Sequence, residues 1–299
     1  MTDFAALAGL PLLRDEPLAK YTAARLGGPA DAVYIARRSL DELAAVMRRA
    51  WTAALPVRVL GGGANVLVSD SGVRGLVVIN HVSEIDIDEA RAVVTASSGM
   101  GLAVLARHCA ARGLAGMEWA VSIPGTLGGA VVNNAGAHGG DMAGSLIWAA
   151  LIDVEGERVL SNADLAYGYR TSALKGRADR RFLVLRAALQ LQRDDAAAIS
   201  ARMDANIAHR KRTQPPGASL GSIFKNPPGD FAGRLLDSCD LKGYAIGGAM
   251  ISPVHANFFI NTGNASARDY HALIRYAQQI VQERTGVHLE SEIETLGEF

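Results

Sequence analysis

A mixed fold of helices and strands is what the sequence predicts, on three observations. A capped amphipathic helix stands near the start, short strand-like runs dominate to about residue 192, and the composition turns helical from Asp194. With 49% apolar and 20% charged residues, the 299-residue chain can bury a sizeable core, which excludes disorder as its main state. Thirty Lys plus Arg balance thirty Asp plus Glu, so no global field favours nucleic acid or an acidic membrane, and an anionic ligand must be held locally. Cys109 and Cys239 form no CxxC, which argues against a disulfide scaffold or structural zinc and fits a reducing cytosol. The N-terminus does not read as a secretory signal, and no apolar run reaches the ~18 residues of a membrane span.

The elements follow in order. Ser39 and Glu42 form a capping-box signature for a helix whose stripe is Leu40, Leu43, Ala44, Met47 and Trp51. Strands are expected at Val57 to Leu60, Val66 to Val68 and Leu76 to Ile79, with a triple glycine after the first. Ile85 to Asp88 and Val93 to Ala96 read as paired strands, and a helix over Leu102 to Ala111 is stopped by Gly113. Leu146 to Val154 and Arg158 to Leu160 form a hairpin around Glu155-Gly156, and Phe182 to Leu191 is a further strand. Asp194 to Lys211 is a helix with Ile199, Met203 and Ile207 on one stripe, and a domain boundary is placed at its start. Thr213 to Gly229 reads as a loop, after which Asp230 caps a short helix through Ser238. Ser266 caps the last helix, with a stripe through Leu273, Ile274, Ala277, Ile280 and Val281 before Gly286. A final strand over His288 to Glu294 sends Glu290, Glu292 and Glu294 to one face.

Glycine is concentrated where a ligand could approach backbone amides. In GGGANVLVSD at 61 to 70, a dinucleotide G-x-G-x-x-G would need glycine at Val66, and a strand follows instead of a helix, so that fingerprint fails. An anion nest helped by Asn65 competes there with a plain tight turn, which an isolated triple glycine favours. The run from Ser122 to Gly140 is too long for a plain connection and reads as an ordered binding loop. No P-loop sequence exists, and the seven histidines show no metal-ligand spacing, so no metal is expected. Arg170 in AYGYRTS offers a permanent charge suited to carboxylate or phosphate. GSIFKNP puts Ser222, Lys225 and Asn226 on a loop, and Glu292 sits in the acidic row, where a solvated edge is the simpler reading. Singly, none of these decides a function.

Taken together, the segments resemble the UDP-N-acetylenolpyruvoylglucosamine reductase family. The carriers are YTAARLGGPAD (21 to 31), VLGGGANVLVSDSGVRGLVV (59 to 78), IPGTLGGAVVNNAGAHGG (123 to 140), YGYRTS (167 to 172), GSIFKNPPGDFAG (221 to 233), LKGYAIGGAMIS (241 to 252) and LESEIE (289 to 294), in the family's order. Met250 and His138 stand where Gln and Tyr are common, and the lack of an insertion between about 172 and 182 matches the shorter, type II subclass.

The resemblance implies a two-part FAD-binding module of the vanillyl-alcohol-oxidase (PCMH) type over 1–79 and 80–193. A C-terminal α+β substrate-binding domain would occupy 194–299, its last strand free to return to the first part. It implies FAD held by Gly61, Gly62, Gly63, Ala64, Asn65, Ser122, Pro124, Gly125, Thr126, Gly128 and Gly129, with NADPH as cosubstrate. It implies catalytic roles for Arg170, Ser222 and Glu292, the last with its pKa raised if Glu290 and Glu294 are close and ionised. A UDP-sugar would be held by Tyr169, Lys225, Asn226 and Tyr244. A cytoplasmic monomer or weak oligomer of the peptidoglycan precursor route is expected, with no nucleic-acid or membrane partner. Another flavin oxidase on the same fold would have no reason to keep YRTS, GSIFKNP and LESE together, and a nonenzymatic binder would be expected to lose one of the three.

Overall fold

In the computed structural model, which describes residues 2–299, helix α1 (Leu40–Thr52) starts where Ser39 accepts the Glu42 N–H at 3.2 Å. The expected capping box is only half built, because the Glu42 carboxylate accepts the Tyr34 hydroxyl at 2.7 Å. Helix α1 buries Leu43, Ala44, Met47 and Trp51, as its stripe predicts, together with Val46 and Ala50. The chain then divides into two compact units. One contains the described residues up to Leu12, Tyr34–Gly62 and Leu76–Arg210; the other contains Leu13–Val33, Gly63–Gly75 and Lys211–Phe299.

The first unit is built on a five-stranded antiparallel sheet. Its spatial order is Gly156–Ser161, Leu146–Asp153, Phe182–Gln190, Val93–Ser97, Ile85–Asp88. The hairpin turn is Val154-Glu155, since Asp153 already faces Gly156. Val57–Leu60 pairs in parallel with Leu76–Ile79 of the longer strand Val73–Asn80. Helix α2 (Leu102–Ala110) packs Leu102 and Leu105 into the core, and Gly113 at φ +64° turns the chain after it. Inside the run expected to be a loop lies helix α3 (Leu127–Asn133), which buries Leu127, Ala130 and Val131 and ends at left-handed Asn134. Gly128 and Gly129 each weaken a helix by about 1 kcal/mol relative to Ala, and their presence hides this short apolar face from a propensity reading. Helix α4 (Ala196–Thr213) places Ile199 and Met203 in this same core, so it belongs here and not with the residues that follow it.

The second unit has a four-stranded antiparallel sheet in the order Ala218–Ser222, Phe258–Asn261, Ala249–Ile251, Ala245–Ile246. The strand Ala218–Ser222 lies within the stretch read as a loop. Gly221 at φ +74° shifts the register between Ser219 and Ser222, and this irregularity erases the period-two signal. Helix α5 (Ala232–Ser238) and helix α6 (Ala267–Thr285) supply Leu235, Leu236, Tyr270, Leu273, Ile274 and Val281 to the core. Helix α5 is not capped by Asp230: Phe231 is its N-cap, and the Asn226 amide oxygen accepts the Ala232 N–H at 3.1 Å. Asp230 instead accepts from the Phe231 N–H at 2.7 Å and pairs with Arg234, which holds its carboxyl down to about 2. Ser266 and Asp269 form a full capping box at α6.

Only Glu294–Leu296 of the expected last strand forms a regular ladder, parallel to Val66–Val68. The expected alternation holds in part: Leu289 and Ile293 are buried and Glu290 is exposed, but Ser291, Glu292 and Glu294 are all half-buried. Asp70, just past Val66–Val68, accepts the N–H groups of Ala267 and Arg268 at 2.8 and 2.9 Å. Among the described residues, no helix is long and apolar enough to cross a membrane.

Asp70 therefore caps α6 from a distant segment. Asp70→Ala should lower stability by about 1–2 kcal/mol, since two first-turn donors lose a charged acceptor. Asp70→Asn should cost less, and urea unfolding of the three proteins checks the order.

Candidate functional site

Gly61 and Gly62 are glycine because the second glycine run comes up against them. A Cβ on Gly61 would overlap the Thr126 side chain, and one on Gly62 would lie 2.8 Å from the Gly125 Cα. Gly125 itself sits at φ +112°, open to glycine and strained for other residues. Gly128 packs on Ser98, whereas a Cβ on Gly129 would meet nothing nearer than Thr126 Oγ1 at 3.9 Å; Pro124 and Gly129 are exposed. Ser122 Oγ and Asn133 Oδ1, at either end of this segment, are buried without a hydrogen-bond partner. Buried polar atoms are nearly always satisfied, so two orphans beside a glycine rim fit a polar ligand, such as the FAD that the resemblance implies. From α4, Arg210 donates to the Ser122 carbonyl, and burial pulls its guanidinium below the ordinary arginine range.

In the second unit, Gly63 at φ +56° lies so close to Tyr21 that a Cβ would overlap its carbonyl, and its own carbonyl accepts the Ala23 N–H at 3.0 Å. Ala64 is half-buried beside it. Asn65, expected as a cofactor donor, spends its amide elsewhere: Nδ2 donates to the Glu292 carbonyl at 3.2 Å. Its backbone carbonyl accepts the Glu294 N–H at 2.9 Å.

Arg170 occupies a left-handed conformation, φ +54°, that costs a non-glycine residue about 1–2 kcal/mol. Its neighbours hold it there. Gly168 and Thr171 exchange N–H···O bonds of 3.2 Å, and Ser172 Oγ donates to the Val132 carbonyl at 2.5 Å. The guanidinium donates to the Gly136 carbonyl at 2.6 Å and lies 5.3 Å from the Tyr169 ring centroid. Both side chains line an open cleft of about 500 Å³ with Trp119, Gly136, His138 and Asp141. Asn134, which sequence reasoning passed over, is buried and clamps this corner. Its amide donates to the Gly168 carbonyl at 2.9 Å and its oxygen accepts the Ala143 N–H at 3.0 Å. A left-handed asparagine ending a glycine-rich helix was the available signal.

Ser222 and Glu292 come from segments 70 residues apart that the second unit brings together. Phe224 and Ser291 form an antiparallel bridge, flanked by Glu292 N–H to Ile223 O at 2.8 Å and Lys225 N–H to Glu290 O at 2.9 Å. The peptide of Ser222's neighbour thus touches the peptide of Glu292. Asn257, also passed over, is buried and pairs both peptide groups of Phe224, accepting its N–H at 2.9 Å and donating to its carbonyl at 2.8 Å. The Ile223 N–H donates to the Asn257 carbonyl at 2.9 Å. Behind it, His255 Nδ1 accepts the Asn257 N–H at 3.2 Å.

Lys225 pairs with Glu290 at 2.5 Å, so Glu290 is balanced by a cation and is not a lone like charge beside Glu292. Asn226 serves α5 as described, and Tyr244 stacks on Tyr276 with centroids 4.5 Å apart. Arg170 and Tyr169 belong to the first unit; Ser222, Lys225, Asn226, Tyr244 and Glu292 belong to the second. Among the described residues, no group of three or more His, Cys, Asp or Glu is arranged to hold a metal ion.

Residues 31–160 match the family model described as FAD binding domain. Residues 213–296 match UDP-N-acetylenolpyruvoylglucosamine reductase, C-terminal domain. The chain is 43% identical over 297 residues to the UDP-N-acetylenolpyruvoylglucosamine reductase of Synechococcus sp. (strain RCC307), spanning 98% of this chain and 96% of that protein. It is 40% identical over 293 residues to the reductase of the same name from Bacillus velezensis, spanning 96% and 94%. Among solved structures, UDP-N-acetylenolpyruvylglucosamine reductase from Thermus caldophilus superposes with a TM-score of 0.81 at 36% identity, covering 96% of this chain and 100% of that one.

His255 supports the Ser222 segment only while its Nδ1 is unprotonated. Burial holds its pKa below the ordinary histidine value, and the Lys242 charge acts in the same direction. The unfolded chain therefore takes up this proton first. Its contribution to stability is complete above about pH 6.5 and is lost as pH falls toward the folded value. His255→Asn, which keeps an acceptor but does not titrate, should flatten the loss between pH 7.5 and 5.5 measured by urea unfolding.

Proposed function

The chain belongs to the UDP-N-acetylenolpyruvoylglucosamine reductase family, and on that premise we propose that it reduces UDP-N-acetylglucosamine enolpyruvate to UDP-N-acetylmuramate with electrons from NADPH, using Arg170, Ser222 and Glu292. It is an FAD-dependent oxidoreductase acting on a CH–CH bond in peptidoglycan precursor synthesis. FAD, when bound, would supply the hydride chemistry that links the nicotinamide to the substrate.

The chain's own residues have to manage charge and one proton. Hydride addition at the methylene carbon pushes the double-bond electrons onto the adjacent carbon and its carboxylate, an enolate. Arg170, permanently cationic, pairs with that carboxylate and stabilises the charge that develops on it. Its side chain is prepared for this work, because Asn134, Ser172 and the Gly168–Thr171 pair fix its backbone before any ligand arrives. Ser222 donates its hydroxyl proton to the adjacent carbon, completing addition of one hydride and one proton across the double bond. Serine is a weak acid in water, and it serves because an enolate is a strong base held in a fixed geometry. Glu292 hydrogen-bonds the same developing charge when it carries a proton.

The single observation that best supports this reading is the short ladder between 223–225 and 290–292, which puts the peptide of Glu292 one hydrogen bond from that of Ile223. Gly61, Gly62, Ser122, Pro124, Gly125, Thr126, Gly128 and Gly129 would hold FAD, with Gly63 and Ala64. Tyr169, Lys225, Asn226 and Tyr244 would hold the UDP-sugar, Lys225 exchanging Glu290 for a diphosphate. The division into 1–79 and 80–193 for the cofactor and 194–299 for substrate is a division by these roles. A cytoplasmic location and a monomeric or weakly associating state complete the proposal.

The two half-reactions separate the roles. Purified protein should be yellow, bleach with NADPH under anaerobic conditions and recover its colour with the enolpyruvyl sugar nucleotide but not with UDP-N-acetylglucosamine. Ser222→Ala should keep the bleaching rate and slow the recovery by about 10²-fold or more. Equal loss of both rates would remove the proton-donor role, and recovery with UDP-N-acetylglucosamine would remove the substrate assignment.

A further inference from the structure

Asn65 lies in the glycine loop expected to hold the cofactor, yet its side chain is committed to the protein. Nδ2 donates to the Glu292 carbonyl at 3.2 Å, while the Asn65 backbone carbonyl accepts the Glu294 N–H at 2.9 Å. On its other side the Glu292 N–H donates to the Ile223 carbonyl at 2.8 Å. Both peptide groups of Glu292 are therefore fixed, one by the Ser222 segment and one by the glycine loop. The regular ladder with Val66–Val68 begins only at Glu294. Glu292 precedes it, and the asparagine amide supplies the hydrogen bond that the ladder does not.

We propose that Asn65 is a positioning residue whose side-chain amide sets the direction of Glu292, and not a ligand of the cofactor. This rests on the catalytic reading of Glu292 given above. The residue type matters, because the carbonyl needs a donor at short reach. Aspartate would present an acceptor and a charge to that carbonyl, alanine would leave it unpaired, and only asparagine combines the amide with this side-chain length.

The experiment compares FAD-loaded wild type, Asn65→Ala, Glu292→Gln and the double variant. Amide hydrogen exchange is read at Glu292 to Leu296, and FAD affinity, NADPH bleaching and colour recovery with the enolpyruvyl sugar nucleotide are measured alongside. Asn65→Ala should raise exchange at Glu294 about tenfold or more, leave FAD affinity and bleaching within about twofold, and slow recovery about tenfold or more. In the Glu292→Gln background, removing Asn65 should add little to the slowing, because the two act as one unit. A loss of FAD affinity with unchanged exchange would make Asn65 a cofactor ligand and overturn the proposal, as would slowing that multiplies fully with that of Glu292→Gln. If Glu292→Gln recovers colour at the wild-type rate, the catalytic reading of Glu292 fails, while the exchange result still decides whether Asn65 holds that peptide.

Discussion

The peptide of Glu292 is held from both sides, and much of the candidate site follows from that. A backbone N–H or C=O that leaves water must find a partner, or the fold loses about 1–3 kcal/mol for each orphan. Here the partners are Ile223, next to Ser222, and Asn65, next to the triple glycine. Three segments distant in sequence meet at one residue, and none can shift without breaking a bond at Glu292. The parallel pairing of Glu294–Leu296 with Val66–Val68 and the Asp70 cap on α6 extend the same seam. Through them the end of the chain is bound to residues 63–75, which is why those residues belong to the second unit.

The same device recurs at Asn65, Asn134 and Asn257. Each places an amide where the backbone is too irregular for a ladder: before a strand begins, at a left-handed helix end, and beside the bulge at Gly221. An asparagine side chain carries the same donor and acceptor as a peptide group, on a short stem with little rotamer freedom to lose. Regular sheets satisfy themselves but present flat, repetitive surfaces. Asparagine clamps permit an irregular backbone to stay rigid, as a site requires when it must aim individual side chains.

Much of this architecture was legible in the sequence. The stripes of α1, α2 and α6, the cap of α6 and the hairpin near Glu155 depend on local chemistry and formed close to where that chemistry placed them, with the α1 box half built and the hairpin turn one residue early. What stayed hidden depends on partners far away. Helix α3 owes its existence to burial of Leu127, Ala130 and Val131 against the first core and not to its glycine-rich propensity. Ala218–Ser222 is a strand because Phe258–Asn261 lies beside it. The stripe of α4 is too sparse to say which core it joins, and it joins the one preceding it in sequence. Of the site, the segments carrying Arg170, Ser222 and Glu292 were visible as motifs, while the clamps on them were not. A clamp is defined by a contact at a distance, and a lone buried asparagine carries no periodic signature.

The strain at Arg170 and the close approach of the glycine runs belong to one argument about rigidity. A left-handed arginine costs about 1–2 kcal/mol, a substantial share of a domain's ~5–15 kcal/mol of net stability. It persists because the Gly168–Thr171 pair, the Ser172 hydroxyl and the Asn134 amide over-determine the loop. That loop rests in turn on Val132 and Asn134 at the end of α3, and the start of α3 is the segment against which Gly61 and Gly62 pack without side chains. Adding a methyl group at Gly61 or Gly62 would push on Thr126 or Gly125, displacing the N-terminal turn of the helix whose other end aims the guanidinium. The glycines are thus required to let α3 seat deeply enough that Arg170 is held in a conformation it would not adopt alone.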